Sequence, residues 1–515
     1  MKKNYPKPVV LISMDGVGSA PPGPGNAITQ AKTPNLDKYW PLYPHGMLEA
    51  SGLYVGLPEG TDGNSEVGHT TMGAGKIILQ DLPRIDNAVS NKSFYDNVML
   101  NKAFEHATKN NGAIHLVGIT GHGLVHGSLE HLFALIELAA QKKFNPDKVF
   151  IHCFLDGRDS PPDDGVNVLE EIQAKCLQKR TGIIASMVGR AIAMDRNKNW
   201  KRTKKAYDML TLGTGKVIKD WKKELEVQYK NKVSDEYIEP TLIVEGNTKP
   251  HIIQSGDAVI MFNFRPDRAQ QITRAFEDES FSGWQRQIIP NLFFTGFTDY
   301  KNGFPKNIAF PAEEVTDPLG KILSENGLKQ LRLAESEKFP HVTYFFNGGT
   351  GKVFENEKWI EVPSPKVATY DLKPEMSQRW ITDVLLEKMQ TDEFDFMLIN
   401  FAGPDMVAHT GNIKAAIEAM EVCDECVGRI IEATLAKNGA VVITADHGNI
   451  EEMIDVQTGK NDTKHSVNQV PVMIIQNGLP SRELPVGNLA DVAPTILSLL
   501  GISIPPAMTG RNLLI

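Results

Sequence analysis

Short apolar runs recur along the chain, and each ends in a polar, glycine-bearing loop. VVLISMDG (9–16), IHLVGIT (114–120), VFIHCFLDGRD (149–159) and IIASMVGR (183–190) come first, followed by VIMFNFRPDR (259–268), FMLINFAGPD (396–405) and VVITADHGN (441–449). Runs apolar at every position suit strands covered on both faces, whereas a half-exposed strand alternates. Between them lie helical patterns such as SLEHLFALIELAAQKK and EMSQRWITDVLLEKM, with apolar residues at 3.6-residue spacing. Alternating strand and helix predicts an α/β fold whose ligands gather beyond the carboxyl ends of the strands. That is where the Asp, Arg and His residues fall. The sequence has no internal repeat, low-complexity tract, P-loop or GxGxxG fingerprint.

A chain of 515 residues exceeds what one hydrophobic core supports, so two domains are expected. The order of residue types suggests how they are threaded. Carboxylates and histidines follow strands early (Asp15) and late (Asp405, His409, Asp446, His447, His465), while the middle carries Arg158, Arg190, Arg196, Arg265 and Arg268. This predicts one discontinuous domain, 1–78 with 312–515, and an inserted domain over 79–311.

Composition narrows the function classes. Hydrophobic residues at 41% and charged residues at 23% are ordinary globular values. A net charge of -9 argues against a nucleic-acid or anionic-membrane surface, though not against a local basic pocket. Four cysteines form no disulfide framework, which points to the reducing cytoplasm. Cys423 and Cys426 have a CxxC spacing, but their surroundings are helical and no second CxxC exists, so they read as helix cysteines. Lys2 and Lys3 precede an apolar run that stops at Asp15, too short for a signal peptide, and the uncharged stretch 492–510 is broken by proline and glycine.

The candidate chemistry begins with PDMVAHTG, where Pro404 opens a turn that would put Asp405 and His409 on one face. TADHGN places Asp446 and His447 directly after a strand, His465 lies on a loop, and Asp15 ends the first strand. Three histidines with three aspartates suit Mn2+ or Zn2+ better than Mg2+ or Ca2+. The glycine-rich stretch DGNSEVGHTTMGAG offers Ser65 as a nucleophile. It lacks the GxSxG elbow of an α/β-hydrolase, so activation by a metal is favoured over a Ser–His–Asp triad. Alternatively, Ser65 would simply cap the following helix, whose N-terminus itself favours phosphate.

The arginines of LDGRDSPP, VGRAIAMDR and FNFRPDR all follow apolar runs and suggest a converging anion pocket, because guanidinium bonds carboxylate and phosphate bidentately. Asp159, beside Arg158, could handle the protons of a substrate hydroxyl, and His126 in GLVHGS could join the same pocket.

Taken together, LISMDGVG, GNSEVGHTTMGAG, FLDGRDSPP, GRAIAMDRNKNW, VIMFNFRPDRAQQIT, LRLAESEKFPHVTYFFNGG, PSPKVATYDLKPEMS, NFAGPDMVAHTG, TADHGN and LADVAPTIL closely resemble the motifs of cofactor-independent phosphoglycerate mutases, in that family's order and over nearly the whole chain. The family lies within the alkaline phosphatase superfamily. The resemblance implies a three-layer α/β/α phosphatase-like domain with an inserted α/β transferase domain. It implies interconversion of 2- and 3-phosphoglycerate in glycolysis and gluconeogenesis, without 2,3-bisphosphoglycerate and through phosphoserine on Ser65. By position, Asp405, His409 and His465 would hold one divalent ion, and Asp15, Ser65, Asp446 and His447 another. Mn2+ is the usual ion, with Mg2+, Co2+ or Zn2+ as alternatives. His126, Arg158, Asp159, Arg190, Arg196, Arg265, Arg268 and Lys338 would form the substrate set, with Asp159 moving the hydroxyl protons. A cytoplasmic monomer that engages neither nucleic acid nor membrane is expected.

The chain departs from the family at Thr61-Asp62 before GNSEVGH, at GHGLVHGS, where His122 replaces an aspartate, and at Pro340 in EKFPHVT. A two-metal phosphatase or phosphopentomutase on the same catalytic domain, and a non-catalytic phosphoglycerate sensor, are the competing readings. The sensor would have no use for a nucleophile.

Overall fold

A computed structural model describes residues 5–301, 303–455 and 458–515; Lys2 and Lys3 lie outside them. The chain folds as two compact units, Met1–Gln80 with Glu313–Ile515, and Asp81–Ala312.

The discontinuous unit is built on an eight-stranded sheet in the order Glu357–Val362, Gln330–Glu335, Phe396–Phe401, Val9–Met14, Ala440–Thr444, Val470–Gln476, His45–Glu49, Gly487–Asn488. The first five strands run parallel, and Val470–Gln476 pairs antiparallel with both its neighbours. Val9–Met14 and its two neighbours are buried along their whole length, as doubly apolar strands must be when helices cover both faces. Two helix groups do the covering. Ile413–Ala436 packs with Ala27–Gln30, Pro34–Tyr39 and Gln378–Gln390, whereas Ser65–Ala74 packs with Leu319–Glu325 and Val492–Leu499.

Cys423 and Cys426 sit buried on Ile413–Ala436, where burial raises both thiols, Cys426 to about 11. The uncharged stretch 492–510 yields only the helix Val492–Leu499, after which Gly501 turns the chain at φ 66°. Among the described residues, no helix is long and apolar enough to cross a membrane.

The unit Asp81–Ala312 holds a second eight-stranded sheet, in the order Asn307–Ile308, Phe293–Gly296, Ala258–Met261, Ile114–Thr120, Val149–Leu155, Ile183–Gly189, Thr241–Ile243, Lys216–Ile218. All its pairings are parallel except Ile183–Gly189 with Thr241–Ile243. A buried polar chain crosses this sheet, from Asp257 through His115 and His152 to Ser186, with contacts of 3.1, 2.9 and 2.8 Å. The value of His152 lies well below the usual range, through burial and then its neighbours His115 and His251.

Candidate active site

In the discontinuous unit, register gathers the candidate ligands. Phe401, Met14 and Thr444 end neighbouring parallel strands, and just beyond them come Asp405, Asp15 and Asp446-His447. Lys338 follows the next strand out, Gln330–Glu335. Pro404 does open a helical turn (Gly403–Ala408), and His409 Nε2 lies 3.3 Å from Asp405 Oδ1. His465 Nε2 is 3.1 Å from His409 Nε2 and 3.5 Å from Asp405 Oδ1. Asp405, His409 and His465 thus place their ligand atoms within reach of a single ion.

Ser65 is the first residue of the helix Ser65–Ala74, and the cap is Asn64, which accepts the Val67 N–H at 3.1 Å. The helix-cap alternative for Ser65 is therefore corrected: the cap falls one residue earlier, which frees the Ser65 hydroxyl. That hydroxyl lies 2.8 Å from Lys338 Nζ, 3.0 Å from His447 Nε2 and 3.3 Å from Asp15 Oδ1. Lys338 Nζ donates further to Asp15 Oδ1 at 2.6 Å and Asp405 Oδ2 at 2.7 Å. Lys338, expected in the substrate set, stands at the nucleophile. Asp15, Asp405 and His447 form a second group of convergent ligand atoms. Asp446 borders it, with Oδ1 accepting the Gly16 N–H at 3.3 Å and Oδ2 lying 3.7 Å from His447 Nε2.

Charge in this cluster is unbalanced. Asp15, Asp405 and Asp446 are all buried, and Lys338 is the ammonium that lies among them. Burial pulls His447 down, but Asp446, Asp15 and Asp405 outweigh it and hold the imidazole up at about 10. Buried Asp446 Oδ2 accepts no hydrogen bond, since His69 Nδ1, 3.3 Å away, makes its closer contact (2.9 Å) to the Ser65 carbonyl. An acid excess, an orphaned carboxylate oxygen and a mixed N/O donor set fit divalent cations.

Several supporting residues carried no signal of their own in the sequence. Asn400 Nδ2 donates to Asp15 Oδ2 at 2.6 Å, Asn449 Nδ2 donates to Asp405 Oδ1 at 2.8 Å, and His69 lies between Asn400 and Ser65. All three lie within motifs, Asn400 in NFAGPDMVAHTG, His69 in GNSEVGHTTMGAG and Asn449 in TADHGN, but nothing in their spacing marks their partners. Exposed Thr61 bonds through its backbone to Pro58 and Gly52, which leaves its side chain free to vary.

In the unit Asp81–Ala312 a second cluster forms by the same rule, beyond the ends of Ala258–Met261, Ile114–Thr120, Val149–Leu155 and Ile183–Gly189. Arg190, 1% exposed, donates through one guanidinium nitrogen to both Asp156 and Asp159. Arg196 and Arg265 meet instead at Asp267, at 2.8 and 3.2 Å. His126 lies between the two acids, 3.8 Å from Asp159 and 3.5 Å from Asp267. Burial, then Arg190, lower His126 to about 4, and Asp267 and Asp159 counteract only in part. Arg268, which donates to the Met194 carbonyl at 3.1 Å, is lowered by burial and then by Arg190 and Arg196. Arg158 is more exposed, 3.4 Å from Glu236. Asp159 is held low, since Arg190 outweighs its desolvation. Asp156 and Asp267 are the members that sequence reading missed. His122 turns to Asp164 (2.7 Å) and Glu171 (3.3 Å), away from the arginines.

The chain is similar to known proteins over nearly its whole length. A family described as the Metalloenzyme superfamily matches residues 7–504. The 2,3-bisphosphoglycerate-independent phosphoglycerate mutase of Clostridium beijerinckii is 46% identical over 510 residues, 99% of each chain. That of Acetivibrio thermocellus is 45% identical over 512 residues, again 99% of each. Among solved structures, Leishmania mexicana phosphoglycerate mutase, determined at low cobalt concentration, shares 32% identity at a TM-score of 0.56, over 99% of this chain and 98% of its own. The chain belongs to the 2,3-bisphosphoglycerate-independent phosphoglycerate mutase family, within the metalloenzyme superfamily.

Proposed function

We propose that this protein interconverts 2-phosphoglycerate and 3-phosphoglycerate without 2,3-bisphosphoglycerate, by way of phosphoserine on Ser65. The observation that carries the reading is the Ser65 hydroxyl, aimed into the acid–histidine cluster and 2.8 Å from the Lys338 ammonium. Asp405, His409 and His465 would hold one divalent ion, and Asp15, Ser65, Asp446 and His447 the other, with Mn2+ the expected metal. Bound there, two cations would lower the pKa of the serine hydroxyl and neutralise phosphoryl oxygens.

The chain's own residues do the rest. Ser65 Oγ, its proton released to solvent, attacks phosphorus, the bond from phosphorus to the substrate oxygen breaks, and that oxygen takes a proton through Asp159. Lys338 offsets the charge on the transferring group. The arginines hold the anionic glycerate, which stays bound and presents its other hydroxyl. Asp159 accepts the proton of that hydroxyl as it attacks the phosphoserine, the bond from phosphorus to Ser65 Oγ breaks, and Oγ regains a proton from solvent. His126, neutral beside Asp159, is suited to accept or donate hydrogen bonds but not to repel a cation. The four cysteines are all free thiols, which suits a reducing compartment, and we assign the protein to the cytoplasm as a monomer.

An assay of 3-phosphoglycerate conversion, free of bisphosphoglycerate and run with and without Mn2+, tests the reading. Turnover that persists without bisphosphoglycerate and is lost on chelation supports it. Chelator-insensitive mutase activity would refute the metal assignment, and release of inorganic phosphate in place of the isomer would mark a phosphatase.

A further inference from the structure

The metal-ligand candidates lie on separate loops far apart in sequence, and an acid outside both ligand groups joins them. We infer that Glu451 is a positioning residue that fixes these loops against one another and thereby sets the metal affinity of the site. The inference rests on the metal assignment above.

Glu451 is 2% exposed. Its Oε2 accepts the Gly18 N–H at 3.0 Å and the Asn449 N–H at 2.9 Å. Its Oε1 accepts from Asn468 Nδ2 at 3.0 Å and from the Ser466 hydroxyl. Gly18 belongs to the loop of Asp15, Asn449 to that of Asp446 and His447, and Ser466 is next to His465. Asn449, anchored in this way, donates its side chain to Asp405 at 2.8 Å, which brings in the remaining loop. One carboxylate therefore registers the segments of Asp15, of Asp446 and His447, and of His465 directly, and that of Asp405 through Asn449.

Two further observations make the position specific for glutamate. All four groups that address the carboxylate are donors in these contacts, and an ionised carboxylate only accepts. A glutamine of the same size would turn its NH2 group toward two of them. Space is also reserved for the carboxylate: a Cβ built on Gly18 or on Gly448 would overlap it. Both glycines have ordinary backbone, so close approach, not a left-handed φ, is what demands them.

Supporting carboxylates of this kind typically govern metal affinity by about 10–100-fold. The test is calorimetric titration of Mn2+ into chelated and dialysed full-length protein, wild type and Glu451→Gln, with the unfolding temperature of the metal-free forms measured alongside. The expected result is about a 10–100-fold higher Kd for Glu451→Gln, with altered Mn2+ paramagnetic-resonance line shape. A residue that merely stabilises the fold would lower the metal-free unfolding temperature and leave the Kd unchanged, and that outcome overturns the inference. If wild type itself binds no Mn2+, the metal assignment fails first and the inference falls with it. Should Glu451→Gln not fold, Ser466→Ala, which withdraws one donor, decides in its place: a severalfold weaker Kd supports the role, and an unchanged one overturns it.

Discussion

His447, in the discontinuous unit, is held up at about 10, whereas His126, in the unit Asp81–Ala312, is pulled down to about 4. Both are buried, and burial lowers both. The difference lies in the neighbours. His447 faces Asp446, Asp15 and Asp405, while His126 has Arg190 and Arg265 near enough to oppose its protonation. One cluster has carboxylates to spare and calls for cations; the other has guanidinium groups to spare and calls for an anion. The overall charge of -9 conceals this division entirely.

The largest effect should come from the nucleophile at the acid cluster. Ser65→Ala should lower mutase turnover by on the order of 10^5 to 10^6, as loss of a covalent nucleophile does elsewhere. Circular dichroism should show the fold intact, and substantial residual turnover would break the phosphoserine route.

At the arginine cluster, the weight falls on binding and stability. Arg190→Ala leaves Asp156 and Asp159 without their shared partner. Such a loss should cost about 3–5 kcal/mol in denaturant unfolding and abolish saturation with phosphoglycerate. Unchanged stability would show that Arg190 is not the counter-charge this geometry makes it.

The smallest effect is the most direct probe of the comparison. His126 has its folded value, about 4, below the ordinary 6.5. The unfolded chain therefore gains a proton below about pH 6.5 that the folded protein refuses until about pH 4, so stability is lost as pH falls through that window. His126→Gln should remove about 2–3 kcal/mol of that loss between pH 7 and 4. Identical pH profiles for the two proteins would place His126 outside the influence of Arg190.

Much of this was legible before folding. The runs at 9–14, 114–120 and 149–155 appear as strands at those positions, because runs this apolar, broken only by Ser13, His115, Thr120 and His152, favour burial on both faces. VIMFNFRPDR promised a longer strand than the observed Ala258–Met261, beyond which Phe262 still donates its N–H to the Val117 carbonyl at 3.0 Å before the arginine loop begins. The interior strands Gln330–Glu335 and Val470–Gln476 were not evident, since polar residues interrupt QLRLAE and Pro471 interrupts VPVMIIQ. Asp156, Asp267, Asn400 and Glu451 were missed for one physical reason. Each works by accepting from or donating to a residue far away in sequence, and spacing along the chain records no such distance.

The sequence by itself determined the alternation of doubly buried strands with helices, and with it the edge of each sheet where the Asp, His and Arg residues collect. It also determined the donor types, since only those side chains can offer oxygen, imidazole or guanidinium. The tertiary structure decided which of them meet. Parallel register brings Asp15 together with Asp405 and Asp446 from the far end of the chain, sets Lys338 against Ser65, and lets Glu451 address three loops at once. Proximity of that kind arises from strand order, which local pattern does not encode.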